Sequence, residues 1–312
     1  MAYKAFNPDF TCKGKQYEEN TTYEENGNEI CGAGVMHYCE NPFDVLDYYP
    51  LVNENGEISE FAEVEPLGKV FKRKNKSATN KLHIKAKLGL KGFIKACIDF
   101  TLEKTKIEEI EDSVENDNGN NSAQIGSSGD SAQIGSSGDF AKIGSSGDYA
   151  QIGSSGDSAQ IGSSGDFAKI GSSGDSAQIG SSGDFAKIGS SGDSAQIGSS
   201  GDFAKIGSSG DYAQIGSSGD YAQIGSSGDY AKITSKGKSS IVMAAGYNSI
   251  AKAKIGSWIT LAEWIRTDKA NDSGDYIWIP KCVKTEYVDG EHIKEDTFYK
   301  LVDGEFKEVE EN

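Results

Sequence analysis

The chain is poor in proline (5 of 312 residues), methionine (3) and tryptophan (3), and it has no long apolar run. A membrane-spanning helix needs about 20 consecutive apolar residues, so none is expected. The opening stretch Met1-Ala2-Tyr3-Lys4-Ala5-Phe6-Asn7-Pro8 has no basic flank ahead of an apolar segment, so no secretory signal is read there. Positive charge is also short. The 31 Lys and Arg face 48 Asp and Glu, a net charge of −17, which argues against direct binding to nucleic acid or to an anionic membrane. The five cysteines (Cys12, Cys31, Cys39, Cys97, Cys282) are odd in number, scattered, and without a C-x-x-C pair. Reduced thiols in a cytoplasmic protein are the expectation.

The acidity has an address. Residues 1–102 carry 13 basic and 15 acidic side chains, and residues 230–312 carry 12 and 14. Residues 103–121 carry 2 and 7, and residues 122–229 carry 4 Lys and 12 Asp. That last segment is twelve copies of one nonapeptide, x-Ala-(Gln/Lys)-Ile-Gly-Ser-Ser-Gly-Asp, and a thirteenth copy decays after Tyr230-Ala231-Lys232-Ile233. A flexible linker has no reason to hold Ala and Ile in fixed register, so the repeat is read as structure.

Within each unit Ala and Ile fall two apart, with the variable residue and Gln/Lys between and beside them. This predicts a short strand with a small apolar face, followed by a Gly-Ser-Ser-Gly-Asp turn. One such strand cannot stand alone, but parallel strands stacked coil on coil bury a continuous Ala/Ile stripe. The variable positions Ser158, Phe167, Ser176, Phe185, Ser194, Phe203 alternate in step with Gln160, Lys169, Gln178, Lys187, Gln196, Lys205. The chemical period is therefore twice the unit. The expected fold class is mainly β: a parallel β-solenoid with two nonapeptides per 18-residue coil, about 4.8 Å per coil. Four segments follow: an α+β domain over 1–102 ending in a capping helix, an acidic connector over 103–121, the solenoid over 122–238, and irregular coils with a β-meander cap over 239–312.

In the first segment Asn41-Pro42 fits the start of a short helix through Tyr48. Phe61–Val64 and Lys81–Ala86 read as strands, and Leu90, Phe93, Ile94, Cys97, Ile98 and Leu102 recur at helical spacing. In the last segment Ala253-Lys254-Ile255-Gly256-Ser257 repeats the nonapeptide core. Trp258–Ile265 and Tyr276–Ile279, the latter stopped by Pro280, read as strands, and Val288-Asp289-Gly290-Glu291 and Val302-Asp303-Gly304-Glu305 as turns.

Tyr3-Lys4-Ala5-Phe6, Thr11-Cys12-Lys13-Gly14, Phe61-Ala62-Glu63-Val64 and His37-Tyr38-Cys39-Glu40-Asn41-Pro42 with the run through Tyr49 resemble an uncharacterised family of phage and prophage proteins. In that family such a domain precedes Ser/Gly/Ala/Asp-rich repeats. The resemblance covers the first third and implies a phage-derived protein in the host cytoplasm, with no activity attached. The Ser-Ala-Gln-Ile-Gly core also resembles the head repeats of trimeric autotransporter adhesins. Those are exported, so that likeness is read as convergent.

The chemistry on offer is thin. Cys12, Cys31, His37 and Cys39 lack zinc-ligand spacing. His37, His83 and His292 stand apart, with no nucleophile motif nearby. Calcium-binding nonapeptides place Asp one position later and a second Gly where this repeat has Ser, so no metal is expected. No Gly-rich phosphate loop opens a helix, so no cofactor is expected either. Lys69, Lys72, Arg73, Lys74 and Lys76 read as a solvated basic loop.

The remaining candidates are surfaces. Asp130, Asp148, Asp166, Asp184, Asp202 and Asp220 should stack along one edge, and Asp139, Asp157, Asp175, Asp193, Asp211 and Asp229 along the other. Such columns have a turn-capping explanation. They also give roughly one charge per 2.4 Å, near the 1.7 Å of duplex DNA. The expectation is a non-enzymatic interaction protein that occupies a host nucleic-acid-binding protein by DNA mimicry; the alternative is a structural rod or self-assembling solenoid. Tyr149, Phe167, Phe185, Phe203 and Tyr221 should form one column on one face, a strip for homo-oligomer formation, while Phe140 and Tyr212 fall on the other face.

Overall fold

The computed structural model describes residues 1–27, 29, 33–73, 76–105, 114–117, 122–270 and 276–309. Cys31, Lys74 and most of the acidic connector lie outside them.

The repeat folds as the period-18 alternation requires. About eight turns of parallel β-solenoid run over residues 124–261. Strands alternate between two parallel sheets. One holds Gln124–Ser127, Lys142–Ser145, Gln160–Ser163, Gln178–Ser181, Gln196–Ser199, Gln214–Ser217, Lys232–Ser235 and Ile250–Lys252. The other holds Val114–Asp117, Gln133–Ser136, Gln151–Ser154, Lys169–Ser172, Lys187–Ser190, Lys205–Ser208, Gln223–Ser226, Ile241–Ala244 and Trp258–Ala270. Ile161 pairs with Ile179, and Ile170 with Ile188. Two nonapeptides make one coil.

The frame of the strand differs from the sequence reading. The strand is (Gln/Lys)-Ile-Gly-Ser, and the corner is Ser-Gly-Asp-x-Ala. Ala, Ile and the first Ser point inward, and Ala and Ile are almost fully buried along the whole rod. Gln/Lys and the first Gly point outward. The variable residue leaves the strand because its backbone is left-handed, with φ between 56° and 61° from Ser131 through Tyr230. That conformation costs a non-glycine residue free energy, so the corner must hold it in place. The second Gly of each unit explains how tightly. A Cβ built on Gly183 would stand 2.0 Å from the Gly165 carbonyl oxygen, and the same near-collision recurs from Gly147 to Gly246.

The N-terminal domain carries a four-stranded antiparallel sheet in the order Ala2–Phe6, Glu60–Pro66, Lys81–Lys87, Thr21–Glu24. Asn41 caps a 3₁₀ turn over Pro42–Asp47 by accepting a hydrogen bond from the Phe43 amide at 3.0 Å. The basic stretch is partly strand, Val70–Lys72, with Lys72 paired to Glu40 at 2.6 Å. The helix α1 spans Gly89–Thr105. Its expected place across the open end of the solenoid is not where it packs. It lies lengthwise on the first sheet, with Leu90 beside Gly198, Ile94 beside Gly180 and Gly162, and Ile98 beside Gly144. Residues four apart rise about 6 Å on a helix, so the stretch from Leu90 to Ile98 spans the coils of Gly198 to Gly144, with Ile94 touching two of them.

At the far end Ile250–Lys252, not Ala253–Ser257, continues the ladder, with Lys232 opposite Ile250. Trp258–Ala270 and Tyr276–Tyr287 form a long antiparallel hairpin, and the second strand runs through Pro280 instead of stopping there. It is the edge of its sheet, where proline's missing N–H is tolerated. Asp303 and Gly304, both at positive φ, turn Tyr299–Val302 into Glu305–Glu308.

The glycines of one unit give a test of the stacking. Gly183→Ala should destabilise by about 3 kcal/mol in denaturant unfolding, because the methyl meets backbone that cannot move alone. Gly189→Ala, where an added Cβ meets nothing within 4 Å, should leave the midpoint nearly unchanged.

Candidate functional site

The Asp columns are built into the corners. Each carboxylate accepts a hydrogen bond from the backbone N–H of the Asp one coil on. Asp184 Oδ1 takes the Asp202 amide at 2.8 Å, and Asp193 Oδ1 takes Asp211 at 2.8 Å. The first bonded pairs are Asp130 with Asp148 and Asp139 with Asp157, each at 3.1 Å. Asp220 and Asp229 end the columns by accepting from Lys238 and Tyr247. From Asp139 to Asp229, each Asp carbonyl also accepts from the variable residue of the preceding coil, as from Phe167 N–H to Asp184 at 2.9 Å. Both expected columns therefore exist. One oxygen of each bonded carboxylate serves the backbone ladder at an exposed corner.

The aromatic column forms as well. Tyr149, Phe167, Phe185, Phe203 and Tyr221 stack with ring centroids 4.9–5.0 Å apart and planes within 8° of parallel. It rises from the corner and not from an outward strand position, since the variable residue is the left-handed one. Phe185 remains 43% exposed and Tyr149 56%. On the other corner Tyr212 stacks on Tyr230 at 5.0 Å, and Phe140 stands exposed.

The two long faces of the rod now differ in what covers them. The N-terminal domain sits on the first sheet through Leu51, Val52, Ile58, Leu90, Ile94 and Ile98, which press on its outward glycines. Polar contacts frame that seat. Lys142 pairs with Asp44 at 2.5 Å, Lys236 with Glu57 at 3.3 Å, and Lys232 donates to Asn55 at 3.2 Å. Burial pushes the Asp44 carboxyl upward, against the opposing pull of Lys142. Sequence reasoning missed this docking, although it left a trace. Lys142 and Lys232 are the two lysines that break the Gln pattern on that sheet, and both reach the N-terminal domain. The second sheet carries Lys169, Lys187 and Lys205 in register above an open row of glycines.

The N-terminal domain holds a half-open pocket of about 380 Å³ edged by Lys4, Cys12, His37, Tyr38 and Tyr49. Lys4 donates to Cys12 Sγ at 3.4 Å and to the His37 carbonyl at 3.2 Å, and Tyr49 donates to Cys12 Sγ at 3.1 Å. Burial pulls the Lys4 pKa down, and Cys12 opposes it. The rings of Phe6 and Tyr17 lie 5.4 and 5.7 Å from the ammonium, a further source of stabilisation. Burial pushes the Cys39 thiol up to about 12 and raises Cys97 well above its ordinary value, so neither is a thiolate at neutral pH. Among the described residues no three His, Cys, Asp or Glu side chains gather as a metal site. His83 sits in its expected strand, its Nδ1 3.0 Å from Thr22 Oγ1.

Residues 1–96 match the family described as a domain of unknown function, DUF7666. No curated protein and no solved structure matches the chain. No helix among the described residues is long and apolar enough to cross a membrane.

The corner geometry separates the two roles of the Asp columns. Asp184→Ala should cost about 1 kcal/mol by freeing the Asp202 amide, whereas Asp184→Asn keeps an acceptor there. Like charges stacked one coil apart repel, so raising salt should raise the melting temperature of the wild type. A variant with the Asp148–Asp220 column changed to Asn should show less of that rise.

Proposed function

We propose that this chain is a non-enzymatic interaction protein, a stiff rod that presents repeated surfaces to protein partners, a second copy of itself among them. The observation that carries this reading is the exposed aromatic ladder. An isolated exposed Phe is ordinary, but five rings in register make an apolar strip of a kind monomers seldom leave in water. Stacking has already buried the ring faces against one another. What remains is a ridge of ring edges along one corner, long enough to meet the same ridge of a second rod.

Light scattering after size exclusion measures this directly. The wild type should be dimeric or larger, and Phe167→Ser, Phe185→Ser and Phe203→Ser together should give a folded monomer. A monomeric wild type contradicts the proposal.

The acid columns support a second reading, in which the rod occupies a host nucleic-acid-binding protein. The carboxylates are exposed, regularly spaced and fixed in orientation by the amide ladder. Together with the phage resemblance of the N-terminal domain, this fits a duplex mimic acting in an infected cell. Immobilised wild-type rod should then retain nucleic-acid-binding proteins that duplex DNA and salt both elute. A folded variant with the twelve Asp of both columns, Asp130 through Asp229, changed to Asn should not retain them. Equal retention by that variant rules mimicry out.

A further inference from the structure

We infer that the open sheet of the solenoid is a docking face for an amphipathic helix of a partner protein, one with apolar residues every fourth position and carboxylates along its flank. The inference rests on the interaction-rod reading above but uses a different surface from the aromatic corner.

The chain itself shows what its glycine rows accept. On the covered sheet, a Cβ added to Gly144, Gly162, Gly180 or Gly198 would come within 3.2–3.6 Å of Ile98, Ile94, Leu51 or Leu90. The missing side chains are the seat of α1 and of the loop beside it. The open sheet repeats that row, coil for coil. A Cβ added to Gly153, Gly171, Gly189 or Gly207 meets nothing within 4 Å. The row floors a groove of about 1120 Å³ that runs along the rod from Gln133 to Thr260. A groove of that length accommodates several helical turns.

Charge selects the occupant. On the covered sheet, Lys142 meets Asp44 and Lys236 meets Glu57 of the docked domain. On the open sheet, Lys169, Lys187 and Lys205 line one wall of the groove, one coil apart. No ion pair to any of the three is formed among the described residues. Three stacked ammonium groups repel one another, and a row of carboxylates on a seated helix would relieve that repulsion. A second copy's α1 is a poor fit, because its flank carries Lys91 and Lys95 and its apolar face is already buried.

The probe is a helix-stapled peptide of residues 89–105 with Lys91, Lys95 and Lys104 changed to Glu and Cys97 to Ala. The control is the same stapled peptide with the three lysines kept. By fluorescence anisotropy at low salt, the wild-type protein should bind the Glu peptide saturably and at least tenfold tighter than the Lys peptide. Gly171→Val with Gly189→Val fills the groove where the chain has free space, so the fold should survive and affinity should fall at least tenfold. Lys169→Glu, Lys187→Glu and Lys205→Glu together should abolish the preference for the Glu peptide. Absence of saturable binding overturns the inference, as does binding that the valine variant leaves unchanged. Self-association that the valine variant abolishes, with no peptide binding, assigns the groove to a second copy and overturns it too. A monomeric wild type that binds the Glu peptide would refute the aromatic-corner association and leave this surface standing.

Discussion

The close approach of one coil to the next at the Gly-Asp corner is the constraint from which the rest of the rod follows. The second glycine of each unit passes so near the preceding carbonyl that no side chain fits. The Asp that follows ties its own coil to the next through its carboxylate and to the preceding one through its carbonyl. These contacts hold the variable residue at positive φ, a conformation that Phe, Tyr and Ser adopt only when their surroundings impose it. Because both corners of a coil share one sequence, they share one geometry. The differences between the two sides come only from the variable residue and the Gln/Lys position.

Those two positions sort the rod into unlike sides. Where the corner residue is mostly Ser and the strand begins mostly with Gln, the outward glycines are covered by the N-terminal domain. Where the corner residue is mostly Tyr or Phe and Lys169, Lys187 and Lys205 begin successive strands, the face is open. The domain of unknown function is thus bound along the rod and not set at its end, and it buries Leu90, Ile94 and Ile98 in the process. The repeat is both the scaffold for that domain and a source of unoccupied surface of the same shape. The Asp columns belong first to folding, since each bonded carboxylate satisfies an amide that would otherwise be unpaired.

Much of this was legible in the sequence, and what was not has physical reasons. The period of 18 emerged from the Ser/Phe and Gln/Lys alternation, and the inward Ala and Ile from their spacing. The strand frame did not, because alternation alone cannot distinguish an outward strand residue from a left-handed corner residue. Nothing local marks Phe167 as a corner; the close approach of Gly165 to Gly147 does, and that is a contact between coils. The helical spacing of Leu90, Ile94 and Ile98 predicted α1 but could not say what its apolar face meets. Ala253-Lys254-Ile255-Gly256-Ser257 misled because it keeps the residue types of the repeat. Gly256 at φ +88° instead turns the chain between Ile250–Lys252 and Trp258–Ala270. Pro280 misled because a proline ends a central strand but is accommodated on an edge.

The central claim is that residues nine apart in the repeat lie on opposite faces, one covered and one open. Thiol labelling of Gly180→Cys and Gly189→Cys variants, read by peptide mass spectrometry under native conditions, measures this most directly. The introduced thiol of G189C should react at the rate of a free surface thiol, whereas that of G180C, beneath Ile94, should react only as fast as the N-terminal domain opens or the protein unfolds. Equal, rapid labelling at the two positions would contradict the two-faced rod.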